Sequence, residues 1–117
     1  MGNHCPGAWV KELPAAIMVS DSSGNVIEMN DASAANYKAA GGFDLIGKNI
    51  RDCHLKEARD LLDTMFANGT PHTYMIENNG MRKMICELPW FKEGVFSGFV
   101  EIAVILPETV PHYIRDR

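Results

Sequence analysis

Asp21-Ser22-Ser23-Gly24-Asn25-Val26-Ile27-Glu28-Met29-Asn30-Asp31-Ala32 follows directly on a short apolar run, Ala16-Ile17-Met18-Val19-Ser20, and contains a second, Val26-Ile27-Glu28-Met29. Both runs have the length of a strand. Between them Asp21 to Asn25 is turn chemistry: Asp and Asn side chains bond nearby backbone, and Gly24 supplies a positive φ. The three pieces read as a β-hairpin. The second strand runs straight into Asn30-Asp31-Ala32-Ser33-Ala34-Ala35, where Asn30 or Asp31 can N-cap a helix that the alanines favour. A hairpin whose second strand delivers a capped helix is a specific order of elements.

Upstream of this hairpin, Met1 to Gly7 reads as a loose lead-in. Ala8 to Leu13 can form a short helical turn, ended by Pro14, that packs Trp9 and Leu13 on a sheet. Downstream, a helix from Asp31 to Ala40 stops at Gly41-Gly42. Leu55, Ala58, Leu62 and Met65 recur every three or four residues, with Leu61 and Phe66 widening the stripe, which predicts a helix over 55–67. Asn68-Gly69-Thr70-Pro71 ends it. From His72 the period changes to two, and strands are expected over 72–78, 82–91 and 95–106, after those over 15–20 and 26–30. In the fourth strand Met84, Cys86, Leu88 and Trp90 share one face, and Lys83, Ile85 and Glu87 the other. Pro89 places an edge or bulge there. In the fifth, Phe96, Gly98, Val100, Ile102 and Val104 face one way, and Phe99, Ala103 and Ile105 the other. A strand apolar on both faces is covered on both, by helices on one side and by a partner or flanking segment on the other. The elements make an α+β domain with an antiparallel sheet.

The Leu13-Pro14 entry, the Asp21-x-x-Gly24 turn, the strand ending in Asn30 and the Ile46-Gly47-Lys48 segment together resemble a PAS domain, over residues 13–106. The resemblance implies a five-stranded sheet in the order 2-1-5-4-3 with helices over one face, enclosing a pocket. Residues 1–12 are then a lead-in and 107–117 a tail. It further implies a sensory or regulatory role in signal transduction, of the histidine-kinase or transcription-regulation kind. A small molecule or cofactor would sit in the core pocket, and dimerisation, an output domain or a partner signalling protein would pass the signal on. The competing class is a protein–protein interaction module with a filled core and no ligand.

Composition narrows the field. One domain of 117 residues has room for a real core. A net charge of −4 provides no basic footprint for nucleic acid. No apolar run is long enough to span a bilayer, and no signal peptide opens the chain. Gly2 lacks the Ser or Thr at position 6 that myristoylation wants. The expected location is cytoplasmic, in keeping with three cysteines (Cys5, Cys53, Cys86) that form no disulfide framework or zinc spacing. No phosphate loop, nucleophile elbow or metalloprotease motif is present, and no catalysis is expected.

Ligand-binding candidates follow from strand parity and helix face: Met18, Tyr37, Met65, Tyr74, Met84, Cys86, Leu88 and Phe99 are expected to line the pocket. Methionine suits an adaptable cavity. The cofactor is undetermined. His54, just before the long helix, stands where haem-binding members of the resembled family often carry their axial histidine. The competing role for His54 is to cap that helix or bond backbone. Flavin is less expected. In light-sensing flavin relatives a cysteine occupies the place of Ile50, and an isoleucine forms no thioether, so an adduct of that type is not expected. Homodimerisation is expected from the two-faced last strand and from Trp9 and Leu13. Otherwise the N-terminal segment and Tyr113-Ile114 would cover their own sheet. Pro107 and Pro111 oppose a continuous helix after Leu106.

Overall fold

The computed structural model describes the backbone of residues 7–53 and 56–116, and their side chains except those of 53, 56 and 57. Its first helix, α1, is one turn at Ala8–Lys11. Strands β1 (Ala16–Ser20) and β2 (Val26–Met29) form the expected hairpin. The turn is built by Asp21, whose Oδ1 accepts the Ser23 N–H at 3.0 Å and the Asn25 N–H at 2.9 Å. Gly24 completes it with φ of 90°.

Asn30 decides where the chain goes next. Its Oδ1 accepts the N–H of Ser33 at 3.0 Å, which caps helix α2 (Asp31–Asn36), and the N–H of Ile17 in β1 at 2.9 Å. Its Nδ2 donates to Val10 O at 2.9 Å and Ala15 O at 2.8 Å. The side chain is buried. Of the two capping candidates Asn30 takes the role, and Asp31 pairs instead with Lys11 at 3.1 Å. The helix expected to Ala40 ends earlier. Tyr37 breaks it, and a 3-10 turn at Lys38–Ala40 closes on Gly41, whose φ is 117°.

The next segment protects a sheet edge. Val26 N–H donates to Lys48 O and Gly47 N–H to Val26 O, while Ile50 N–H reaches Gly24 O. The outer edge of β2 is thereby occupied, which removes a template for strand addition. Arg51 fastens this segment onward. Its Nη1 donates to Ser23 O, its Nε pairs with Asp63, and its guanidinium lies 5.2 Å from the Phe66 ring centre. Asp63 and Phe66 belong to α3 (Lys56–Asn68), the amphipathic helix expected from the sequence.

Strands β3 (His72–Asn78), β4 (Met81–Lys92) and β5 (Val95–Ile105) complete a sheet of order β2-β1-β5-β4-β3, every pair antiparallel. The strand order implied by the resemblance is the observed one, and the helices lie on one face. Between Trp90↔Gly98 and Phe91↔Phe96 the pairing slips by one residue on β5. This bulge turns Phe96 to the helical side, where it meets Phe66 and Phe99 edge-on. Phe96 therefore does not share a face with Val100, as simple alternation predicts. At Gly98 the strands press together so closely that a Cβ would fall 1.9 Å from Ser20 O, and φ is 144°. Trp90 Nε1 donates to that same carbonyl at 2.9 Å.

No helix among the described residues is long and apolar enough to cross a membrane. Removing the Asn30 side chain strips two carbonyls, one buried and one part-buried, of a donor and two N–H groups of an acceptor. Asn30→Ala is expected to cost about 2–4 kcal/mol of stability, read from urea unfolding followed by circular dichroism. A loss below about 1 kcal/mol would show that these bonds are replaced by water.

Candidate functional site

The inner face of the sheet carries the chemistry. Cross-strand pairing sets Met18 of β1 opposite Glu101 of β5, and Glu101 opposite Glu87 of β4, which in turn faces His72 of β3. Two carboxylates therefore stand side by side beneath the helices. On the helical side Leu62 and Met65 of α3 are buried, and Phe66 packs against Phe99 at a ring separation of 4.9 Å. Spacings of three and four residues put these side chains on one stripe of α3.

Two adjacent spaces lie between these layers. The inner one is walled by Met18, Phe99, Glu87 and Glu101 and holds about 10 Å³, room for a single water. The outer one, about 260 Å³, opens between α3 and the start of β3, with Leu62, Met65, His72, Tyr74 and Glu87 around it. Leu62, Met65 and Glu87 border both. Glu87 is 7 % exposed and has no hydrogen-bond or ion-pair partner among the described residues. Glu101 accepts a hydrogen bond from the Tyr37 hydroxyl at 2.9 Å. Burial, and then the neighbouring Glu101 charge, push the Glu87 carboxyl up to about 7. Burial followed by the Glu101 charge raises the Tyr37 phenol. Burial and the Glu87 charge raise Tyr74 to about 12, so both phenols stay protonated as donors.

Five of the eight expected lining residues gather on this face. Met18, Met65, Tyr74 and Phe99 border the two spaces, and Tyr37 reaches them through Glu101. The other three do not. Met84, Cys86 and Leu88 pair with Val104, Ile102 and Val100 on the opposite face of the sheet, and Leu88 is 40 % exposed. The alternation on β4 separates the two faces as expected, but the less apolar set, Ile85 and Glu87, is the one buried. Hydrophobicity alone selects the wrong set, because one inward carboxylate lowers the apparent hydrophobicity of the core face.

Sequence reasoning missed Glu87, Glu101 and His72. The available signal was parity: Glu87 shares a face with Ile85, and Glu101 with Phe99 and Ala103. His54 lies outside the described residues. Among the described residues no three His, Cys, Asp or Glu side chains converge as a metal site. The described walls do not fit haem. Their free space lies below the range of about 300–1,000 Å³ that drug-sized ligands occupy, and paired carboxylates repel haem propionates.

The raised Glu87 acid has a sign opposite to the usual carboxylate. Below its ordinary value of 4.5 it is protonated in folded and unfolded chains alike. Between there and about 7 the unfolded chain sheds the proton while the folded one keeps it, so stability falls as pH rises. The expected loss is on the order of 3 kcal/mol across that window. It should be absent from Glu87→Gln, and urea midpoints of the two proteins at stepped pH make the comparison. Parallel curves would mean that Glu87 ionises as freely as an exposed acid.

No family model matches the chain, and no curated protein matches its sequence. Solved structures do match its fold. The Aer2 receptor of Vibrio cholerae, described as a dual PAS-haem oxygen sensor, superimposes with a TM-score of 0.63 at 19% identity, covering 80% of this chain and 95% of that one. The PAS domain of Bordetella pertussis BvgS gives 0.65 at 16% identity, with coverages of 85% and 82%. The PAS domain of an HTR-like protein from Haloarcula marismortui gives 0.61 at 19%, with coverages of 85% and 87%. The strand order, the helical layer and these superpositions lead to one conclusion: this chain has the PAS fold.

Proposed function

We propose that this domain is a non-catalytic sensory module that binds a small molecule between α3 and the sheet and passes the signal through a dimer. The observation that carries the ligand part is Glu87, a 7 % exposed residue at the border of both spaces whose carboxylate is reached from the cleft and has no protein partner among the described residues. A native fold rarely leaves a buried polar group unsatisfied unless something else satisfies it. Similar folds in histidine kinases and receptors support the sensory setting.

The dimer part rests on the outer face of the sheet. Ile17, Val19, Met84, Cys86, Val100, Ile102 and Val104 form an apolar surface there, continued by the half-exposed Met75. Trp9, Tyr113 and Ile114 are 71%, 69% and 83% exposed, so they do not serve as its cover. A contiguous apolar surface of this kind favours a second copy. The ligand-free interaction module remains the second reading, favoured by the small size of the innermost space.

Two measurements test the proposal. Sedimentation is expected to show a species of twice the 13.0 kDa chain mass. Leu88→Arg, which puts a charge on the outer face opposite Val100, should shift it to monomer with the circular dichroism unchanged; a monomeric parent protein overturns the dimer. Native mass spectrometry after exposure to a metabolite extract is expected to show an adduct that Met65→Trp, by filling the cleft, abolishes. An adduct-free spectrum supports the interaction module. An absorbance spectrum checks haem and flavin at the same time.

A further inference from the structure

Among the described residues, the charged lining of the cleft is acidic. Two carboxylates stand on its floor, and its described lining contains neither lysine nor arginine. Glu101 is already oriented by the Tyr37 hydroxyl, whereas Glu87 is buried with nothing to neutralise it. Ionising a lone buried carboxylate costs several kcal/mol, and a cation held against it restores much of that cost. Around the floor the walls are apolar and aromatic. His72 and Tyr74 stack at 4.9 Å on β3, while Phe66 and Phe99 close the inner end. Aromatic faces attract cations and apolar bodies and do nothing for anions.

We infer that the cleft takes a small organic cation, an ammonium or amidinium head on a compact apolar body, with the head on Glu87 and the body between Leu62, Met65 and Tyr74. This inference rests on the reading of the domain as a ligand-binding sensor and names the class of ligand. Metal ions are poor candidates, because no third ligating side chain among the described residues joins the two carboxylates. Phosphates and carboxylates meet the wrong charge. A space of about 260 Å³ limits the body to roughly a single ring or short chain.

Binding is coupled to protons. Among the described residues, the titratable groups facing Glu87 are Glu101 on β5, with Tyr37 behind it, and His72 and Tyr74 on β3. An arriving cation favours the ionised carboxylate, so it expels a proton whenever the solution is acidic enough for Glu87 to hold one.

The test uses the whole chain and matched probes by isothermal titration calorimetry: phenethylamine, 2-phenylethanol and phenylacetate, then the benzyl and butyl series with the same three heads. The amines are expected to bind about tenfold or more tighter than the alcohols, with no heat from the acids. Lowering the pH from 8 to 6 should weaken amine binding about tenfold, following the proton on Glu87. Glu87→Gln should erase the preference for amines, with its fold checked by circular dichroism. If that variant is unfolded, Glu101→Gln serves and should weaken the amines about tenfold. Alcohols or acids binding as well as amines overturn the cation assignment and leave a ligand-binding sensor standing. Amine binding unchanged in the folded Glu87→Gln protein also overturns it. Absence of binding by every probe, together with an adduct-free native spectrum, overturns both the assignment and the sensor reading beneath it.

Discussion

The carboxamide of Asn30 is the joint on which the hairpin, the first helix and the helical layer all hang. One side chain accepts from β1 and from the first turn of α2 and donates to the carbonyls of Val10 and Ala15. It thereby fixes the direction in which α2 leaves the sheet. Only an amide does this, because the task needs two acceptor directions and two donors on one short stem. Asp could accept both bonds but would set a carboxylate against two carbonyls. Everything downstream inherits that angle. Tyr37 ends α2, and its hydroxyl reaches Glu101 on the sheet below. Asn30 is thus linked to the pocket through one short helix.

The pocket shows the opposite balance. Asn30 gives all four of the backbone groups it touches a partner, whereas the Glu87 carboxylate has none among the described residues. Burial of an acid beside a second acid lowers stability at neutral pH, and nothing in the packing of the core demands it. A hydrophobic residue at the same place would fill the inner space between Phe99 and Leu62. Sites of function often carry such a local cost. The outer face of the sheet inverts this arrangement. It is apolar where solvent would be expected and free of charge at Met84, Cys86 and Leu88.

Local chemistry was legible in the sequence, and long-range facing was not. The hairpin could be read because Asp21 and Gly24 act within five residues. Helix α3 could be read because its stripe repeats within one element. Strand boundaries in β3, β4 and β5 matched to within a residue for the same reason. Which face of β4 points inward depends on its partner strands, and period two separates faces without ranking them. Phe96 was misplaced by a single extra residue in β5, which no alternation pattern reveals. Glu87 and Glu101 look like ordinary solvated acids until the register brings them together. The helix start around His54 lies outside the described residues.

The strand order has a consequence in time. The hairpin β1–β2 and the meander β3–β4–β5 are each made of neighbours, but the seam that joins them is not. Ser20 accepts the Phe99 N–H across 79 positions of chain. Closing so long a loop is slow, and contacts of this range delay folding. On the ribosome, β1 must wait with one edge unpaired until the eleven residues of β5 have emerged. Ile17 and Val19 stand on that waiting strand, and until β5 arrives their apolar side chains lack the neighbours that cover them in the finished sheet. The nascent domain is therefore most vulnerable just before completion, and its last strand is the one that seals it.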